Sequence, residues 1–329
     1  MLPHAYHRYF LWIAIAATFC LLASQLTSVH RRQPKQNPAS AAETAESLVE
    51  TTALRPPPAS EIPIPRQIWQ IFFAPPGIKT LDKGGTYASD WISMAPGYGY
   101  TLMGDEDATA FVDSSFASSR PDITATFHSL RNPAQKSDLL RYLLLWHRGG
   151  IYSDMDTRPL VPVEEWLPPA KRREVGLVVA LEWDVARDGY WDENTRDVQF
   201  CQWTIAAAPG HPVLGGMVNH TIAALHDVAR QQGKALDEAD FSDLQVLNST
   251  GPMAWSDVVF DEIRRRDPLV EELNDLMDLR SPKYAGDLVV LPVESFRAES
   301  SDEWGLNGWR KNRRALVRHY YKGAWKAQG

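Results

Sequence analysis

Cysteine is scarce in this chain. The 329 residues hold two, Cys20 within an apolar N-terminal stretch and Cys201 far downstream in the globular part. One cysteine in the globular part means no disulfide ties it together, and no cysteine-based zinc site can form. A surplus of positive charge is also lacking, since 34 Lys and Arg face 41 Asp and Glu, a formal net charge of -7. That balance excludes a protein built to sit on nucleic-acid phosphates. No internal repeat is present, and a single long apolar run occurs, near the N-terminus. Aromatics, by contrast, are abundant, with 12 Trp and 11 Tyr. Most belong in a core, but such rings also stack on sugars and nucleobases.

The apolar run, from Phe10 to Leu26, carries no charge. It lies at the short limit of the roughly 17–25 residues a span needs, which suits the thinner bilayers of the early secretory pathway. It reads as a transmembrane signal anchor behind a short cytoplasmic tail of residues 1–9. The alternative is a cleaved signal peptide ending near Ala23-Ser24, but the run exceeds the usual apolar region of such peptides. Arg8 precedes the run while Arg31, Arg32 and Lys35 follow it, so the positive-inside rule favours the opposite orientation. The glycosylation acceptors Asn219-His220-Thr221 and Asn248-Ser249-Thr250 argue instead for a lumenal C-terminal domain. Residues 27–61, rich in Pro, Ala, Ser, Thr and Glu, cannot bury enough apolar surface to fold and read as a disordered stem.

Beyond the stem, residues 62–329 alternate strand and helix patterns. Gln67 to Phe73 reads as a first strand, closed by Ala74-Pro75-Pro76-Gly77. A helix over Tyr87 to Met94 precedes a strand over Gly99 to Met103, and Asp105 can cap the next helix. Asn132 and Pro133 make a favoured helix start, Leu139 to Trp146 repeat at helical spacing, and Gly149-Gly150 supplies the stop. Ile151-Tyr152-Ser153 then begins a strand with Asp154 and Asp156 at its end. The apolar run Val175 to Leu181 suits a strand buried on both faces. Gln199 to Ala207 reads as another strand, Pro212 to Arg230 as a helix, and Leu288 to Leu291 and Val317 to Tyr321 as late strands. This alternation implies an α/β sandwich with a mostly parallel sheet.

A divalent cation such as Mn²⁺ or Mg²⁺ takes hard oxygen ligands: one or two carboxylates, waters and substrate phosphate oxygens. Two acids one residue apart at a strand end can supply them, and ligands of open α/β sheets sit beyond the strands' carboxyl ends. A bare Asp-x-Asp also occurs in many surface loops. Here it follows Ser137-Asp138-Leu139-Leu140-Arg141-Tyr142 and Gly149-Gly150 within twenty residues.

At these residues the chain resembles glycosyltransferase family 32, the DXD sugar-binding family, which includes fungal initiation-specific α-1,6-mannosyltransferases of the Golgi. The resemblance runs through Ile64 to Gln70, Pro96 to Tyr100, Lys136 to Asp156, Ala208 to Pro212, Thr250-Gly251-Pro252 and His319 to Lys326. It implies a GT-A-like fold, a nucleotide-sugar donor, Mn²⁺ dependence and a single-pass type II protein of the Golgi membrane. The donor it favours is GDP-mannose, with retention of configuration. The implied partners are a glycan acceptor on a glycoprotein and, in a complex, other Golgi glycosyltransferases.

Carried over residue by residue, Asp154 and Asp156 hold metal and donor diphosphate, and His319 is a third candidate ligand. Asp138 and Arg141 share one helix face and would contact donor sugar hydroxyls and phosphate; the alternative is a surface ion pair, which the Leu-rich helix just before the Asp-x-Asp pair disfavours. Tyr152, Trp69, Gln70 and Trp325 complete the implied donor set, with Trp69 readable as plain core. The chain departs from the family at Gly323-Ala324-Trp325, where Ser is usual before Trp. Three other readings stand beside the mannosyltransferase. One is another hexosyltransferase, galactosyl or N-acetylglucosaminyl. A second is an inositol-sphingolipid mannosyltransferase, disfavoured by the lack of further apolar runs. The third is a non-catalytic Golgi partner with the same fold. A metal-dependent nuclease or phosphatase would need a denser acid and His set around Asp154.

Overall fold

The computed structural model of the protein describes residues 64–73, 87–190, 196–298 and 315–321, all within one compact unit spanning residues 56–329. The expected anchor, the stem, the Ala74–Gly77 turn and Trp325 lie outside the described residues. Among those residues no helix is long and apolar enough to cross a membrane.

The strands in chain order are β1 (Gln67–Ile71), β2 (Gly99–Met103), β3 (Gly150–Ser153), β4 (Thr157–Pro159), β5 (Leu177–Asp184), β6 (Val198–Phe200), β7 (Thr204–Ala207), β8 (Lys283–Ala285), β9 (Leu288–Leu291) and β10 (Val317–His319). The helices are α1 (Ala88–Met94), α2 (Asp105–Phe116), α3 (Pro121–Ser129), α4 (Pro133–Arg148), α5 (Val185–Asp188), α6 (Pro212–Gln231), α7 (Asp243–Ser249), α8 (Pro252–Arg266) and α9 (Val293–Phe296). The main sheet has the order β2-β1-β3-β7-β5-β9-β8, with β6 added to the far end of β5. β1 pairs in parallel with β2 and β3, and β5 with β9, whereas β7 is antiparallel to both β3 and β5. β2, β1, β3, β5 and β9 therefore run one way, and β6, β7 and β8 run against them, so the sheet is mixed.

Strand side chains alternate between faces, and the register carries one row right across the sheet. Ile68, Ile151, Ala206, Val178 and Val289 are aligned neighbours that all join one core layer, completed by Trp91, Trp166, Phe296 and Val317. The adjacent residues, Tyr152, Ile205, Leu177, Val179, Leu288 and Val290, face the other layer, where α4, α6 and α8 pack. Both faces of the sheet are thus covered by apolar side chains, which is why Leu177 to Leu181 carries no polar residue.

Several local expectations meet their physical cause here. Asn132 accepts from Ala134 N at 2.9 Å and Pro133 opens α4. Gly149 and Gly150 have φ of +67° and +104°. A Cβ on Gly150 would lie 2.5 Å from the Gln67 carbonyl oxygen, so the close approach of β1 demands glycine as well as the turn does. Asp105 does not cap α2; Gly104 holds the cap position and Asp105 is the first helical residue. The single strand expected over Gln199–Ala207 is two, because β6 pairs with the end of β5 and β7 with its start. The break at Cys201-Gln202-Trp203 brings Gln202 to Asp138 and Trp203 to His319. The last strand is confined to β10, which pairs with β4 in a separate two-stranded sheet. α3, α7, α8 and β8 add to the elements expected from the sequence.

Candidate active site

α4 ends where β3 begins, and the Gly149-Gly150 turn reverses the chain into that strand, so the two run antiparallel. Residues late in β3 therefore emerge beside those near the start of α4. Asp154 leaves the end of β3 with its backbone fixed from three sides. Its N–H donates to the Trp203 carbonyl at 2.8 Å. Its carbonyl accepts from Gln70 Nε2 at 2.9 Å and from Thr157 Oγ1 at 2.6 Å. Two residues on, Asp156 meets β10: its carbonyl accepts from Tyr320 N at 3.0 Å, and its Oδ1 lies 3.1 Å from His319 Nε2. Ligand-type atoms of Asp154, Asp156 and His319 all lie within 4.8 Å of one another. The β4–β10 pairing brings His319 across 163 positions to this place.

The donor set fits a divalent cation. Two carboxylates and an imidazole converge, and the buried Nδ1 of His319 has no hydrogen-bond partner. Two hard oxygen groups favour Mg²⁺ or Mn²⁺, and the nitrogen inclines the set toward Mn²⁺.

Behind this cluster lies a buried polar layer. Arg141 contacts Asp138 at 2.6 Å and Asp154 at 3.3 Å, donates to the Gln202 carbonyl at 3.1 Å, and sits 4.7 Å over the Tyr152 ring. Asp138 also accepts from Thr250 Oγ1 at 2.8 Å. Tyr142 donates to Gln202 Oε1 at 2.6 Å or to the Thr250 carbonyl at 2.9 Å. Tyr152 donates to Asp154 Oδ1 at 2.5 Å. Burial pushes the Asp138 carboxyl up to about 6, against the pull of Arg141 and Thr250. Burial also works against the Arg141 charge, but Tyr152, Asp154 and Asp138 together hold it well above its ordinary range.

The sequence-derived candidates therefore separate into two groups. Asp154, Asp156 and His319 form the partly exposed cluster. Asp138 and Arg141, each 5% exposed, are no surface ion pair; they stand behind Asp154. Gln70 and Tyr152 depart from the expected donor contact: Gln70 is fully buried with its amide spent on Asp154 and Tyr100, and Tyr152 is 1% exposed. Neither offers surface to a nucleobase. Trp69 is half-buried, donates to the Gly149 carbonyl at 2.8 Å and packs against the core, as the core reading of it has it.

Four participants went unassigned in the sequence: Gln202, Trp203, Thr250 and Glu182. Thr250 carried a signal, since Thr250-Gly251-Pro252 is one of the stretches resembling the family. It is also the Thr of the second glycosylation acceptor. Its hydroxyl bonds Asp138, so the structure accounts for this Thr without a glycan. The other three come together only through the break between β6 and β7.

Comparison with known proteins gives this geometry a class. Residues 83–172, which hold α4, Asp154 and Asp156, match the glycosyltransferase sugar-binding region containing the DXD motif. Over those residues the chain is similar to that family. It is similar to proteins named initiation-specific alpha-1,6-mannosyltransferase from three yeasts. The likeness is 35% identity over 80% of this chain for Schizosaccharomyces pombe and 28% over 81% for Candida albicans. For Saccharomyces cerevisiae it is 25% over 81%. The match spans 64% of the S. pombe protein's length, 73% of the C. albicans protein and 79% of the S. cerevisiae protein.

Proposed function

We propose that the protein is a metal-dependent retaining α-1,6-mannosyltransferase that moves mannose from GDP-mannose to an N-glycan or related mannoside. The observation that carries this is the convergence of Asp154, Asp156 and His319 at the carboxyl end of β3. The names of the relatives supply the sugar and the linkage. In this reading Asp154, Asp156 and His319 hold Mn²⁺. When bound, the cation supplies Lewis-acid stabilisation of the charge that builds on the departing diphosphate.

The chain's own residues do the positioning. Gln70, Thr157 and the Trp203 carbonyl fix the Asp154 backbone, while Arg141 and Tyr152 fix its carboxylate. A preorganised acid does not have to reorient when charge develops. The proposal extends to residues 62–329 as catalytic domain, residues 10–26 as type II anchor and residues 27–61 as stem, with the active site facing the Golgi lumen.

The test is binding and turnover of GDP-mannose, UDP-galactose, UDP-glucose and UDP-N-acetylglucosamine by the detergent-solubilised full chain, with Mn²⁺ or with a chelator. Mn²⁺-dependent turnover of GDP-mannose alone is the expected result. Turnover of a UDP-sugar keeps the metal chemistry and changes the sugar. A folded chain that binds no donor sinks the reading in favour of a non-catalytic partner.

A further inference from the structure

Glu182 lies one indole away from the metal-type cluster. Its Oε1 accepts from Trp203 Nε1 at 2.9 Å, and the Trp203 ring lies 4.5 Å from the His319 ring. Its Oε2 accepts from Gln199 Nε2 at 3.0 Å. The backbone places it there by a device: the β5–β6 register shifts between Leu181 and Trp183, so Glu182 is the extra residue of a bulge. Bulges re-aim a side chain out of the regular alternation and recur beside functional sites.

The carboxylate is unusual in this molecule. Most Asp and Glu of the described residues with an ion pair face an Arg or Lys, whereas Glu182 meets two neutral N–H donors and no cation among those residues. The nearby guanidinium of Arg297 is committed elsewhere, to both oxygens of Asp188 and to the Glu182 backbone carbonyl. An ionised carboxylate has about four lone-pair positions, so two neutral donors leave it capacity to accept from a ligand.

Tyr321 closes the same corner. It is 52% exposed, its ring is 4.0 Å from the His319 ring and 6.4 Å from that of Trp203. Its φ of +47° is one of two positive values at non-glycine residues among the described residues, a conformation that persists only where the surroundings impose it. An acid, an amide and an exposed aromatic ring on one wall are the groups that hold a pyranose: the ring takes its C–H face, the acid and amide its hydroxyls.

We propose that Glu182, Gln199, Trp203 and Tyr321 form a hexose subsite next to Asp154, Asp156 and His319, with the Glu182 carboxylate accepting from sugar hydroxyls. The assignment rests on the glycosyltransferase reading for its location and deepens it. The hexose is either the one being transferred or the terminal sugar of the acceptor, and both present the same vicinal hydroxyls.

The experiment compares the full chain, its E182Q variant and its Y321A variant. The Glu182→Gln substitution keeps an oxygen for Trp203 Nε1 and removes the charge, so near-UV circular dichroism should overlay the parent. GDP with Mn²⁺ is titrated first, and E182Q should bind it as the parent does. α-1,6-Mannobiose is then titrated by tryptophan fluorescence, and acceptor-free GDP-mannose hydrolysis is measured alongside transfer. E182Q should weaken the sugar step about ten-fold or more, the loss of one charged hydrogen bond. A rise confined to the acceptor's KM or Kd places the acceptor there; a fall in acceptor-free hydrolysis places the transferred sugar. Y321A should act in the same direction and more weakly. Equal mannobiose affinity and equal kinetics in E182Q and the parent overturn the subsite. If neither GDP nor UDP binds the parent with Mn²⁺ while mannobiose binding still depends on Glu182, the transferase reading falls and the subsite stands.

Discussion

The two carboxylate groups of this site are built to opposite plans. In front, Asp154 and Asp156 have side chains 27% and 20% exposed and point to a common spot with His319. Behind, Asp138 is closed in by Arg141, Thr250 and Gln202 and keeps almost no surface. Arg141 bridges the two layers, contacting Asp138 at 2.6 Å and Asp154 at 3.3 Å. Loss of a front acid should therefore remove chemistry and spare the fold, while loss of the bridge should damage both.

The largest effect is expected in front. Asp156→Ala should lower transfer by about a thousand-fold, the scale of losing one preorganised electrostatic group. Its thermal midpoint should stay within a degree or two of the parent. A fully active Asp156→Ala would break the comparison at its root. Next comes the bridge. Arg141→Met leaves two carboxylates without their cation, one of them deeply buried, and should cost about 3–5 kcal/mol in urea unfolding, as for a broken buried pair. Transfer should fall with it. If Arg141→Met is as stable as the parent, the rear layer is not a support.

Thr250→Val sharpens the same point with a smaller change. It removes one hydroxyl donor from Asp138 at nearly constant volume and should cost about 1–3 kcal/mol in stability. The metal affinity of the front cluster should change little. The smallest effect lies away from the site. Beside Asp287, His211 and Arg266 hold the carboxyl well below its usual range. Its folded value is depressed, so its stabilisation is complete above the unfolded value near 4 and is lost as the pH falls below it. The stability gap between the parent and Asp287→Asn should accordingly be present at pH 7 and shrink on acidification below about pH 4. Donor affinity should not follow it.

Much of this was legible in the chain. Leu139 to Leu145 at helical spacing, Asn132-Pro133 at the start and Gly149-Gly150 at the end define α4, because caps and periodicity act over a few residues. The apolar run at Val175 to Leu181 announced a strand covered on both faces, and the sheet covers it so. The pairing of Asp154 with Asp156 needed only the end of a strand. The roles of Gln70 and Tyr152 were not legible, since neither residue type says whether its polar end faces a ligand or the back of Asp154. Their burial decides it.

The sequence by itself determined the helices and strands around the site, the family resemblance, and the two acids that lead it. Those are properties of local spacing, where a residue's neighbours are its neighbours in the chain. The third member, His319, was a candidate on sequence; the pairing of β10 with β4 is what put it against Asp156. The break before β7 turned Trp203 inward, and the bulge in β5 re-aimed Glu182. Only tertiary structure could decide these, because each depends on backbone registers between segments 17 to 163 residues apart.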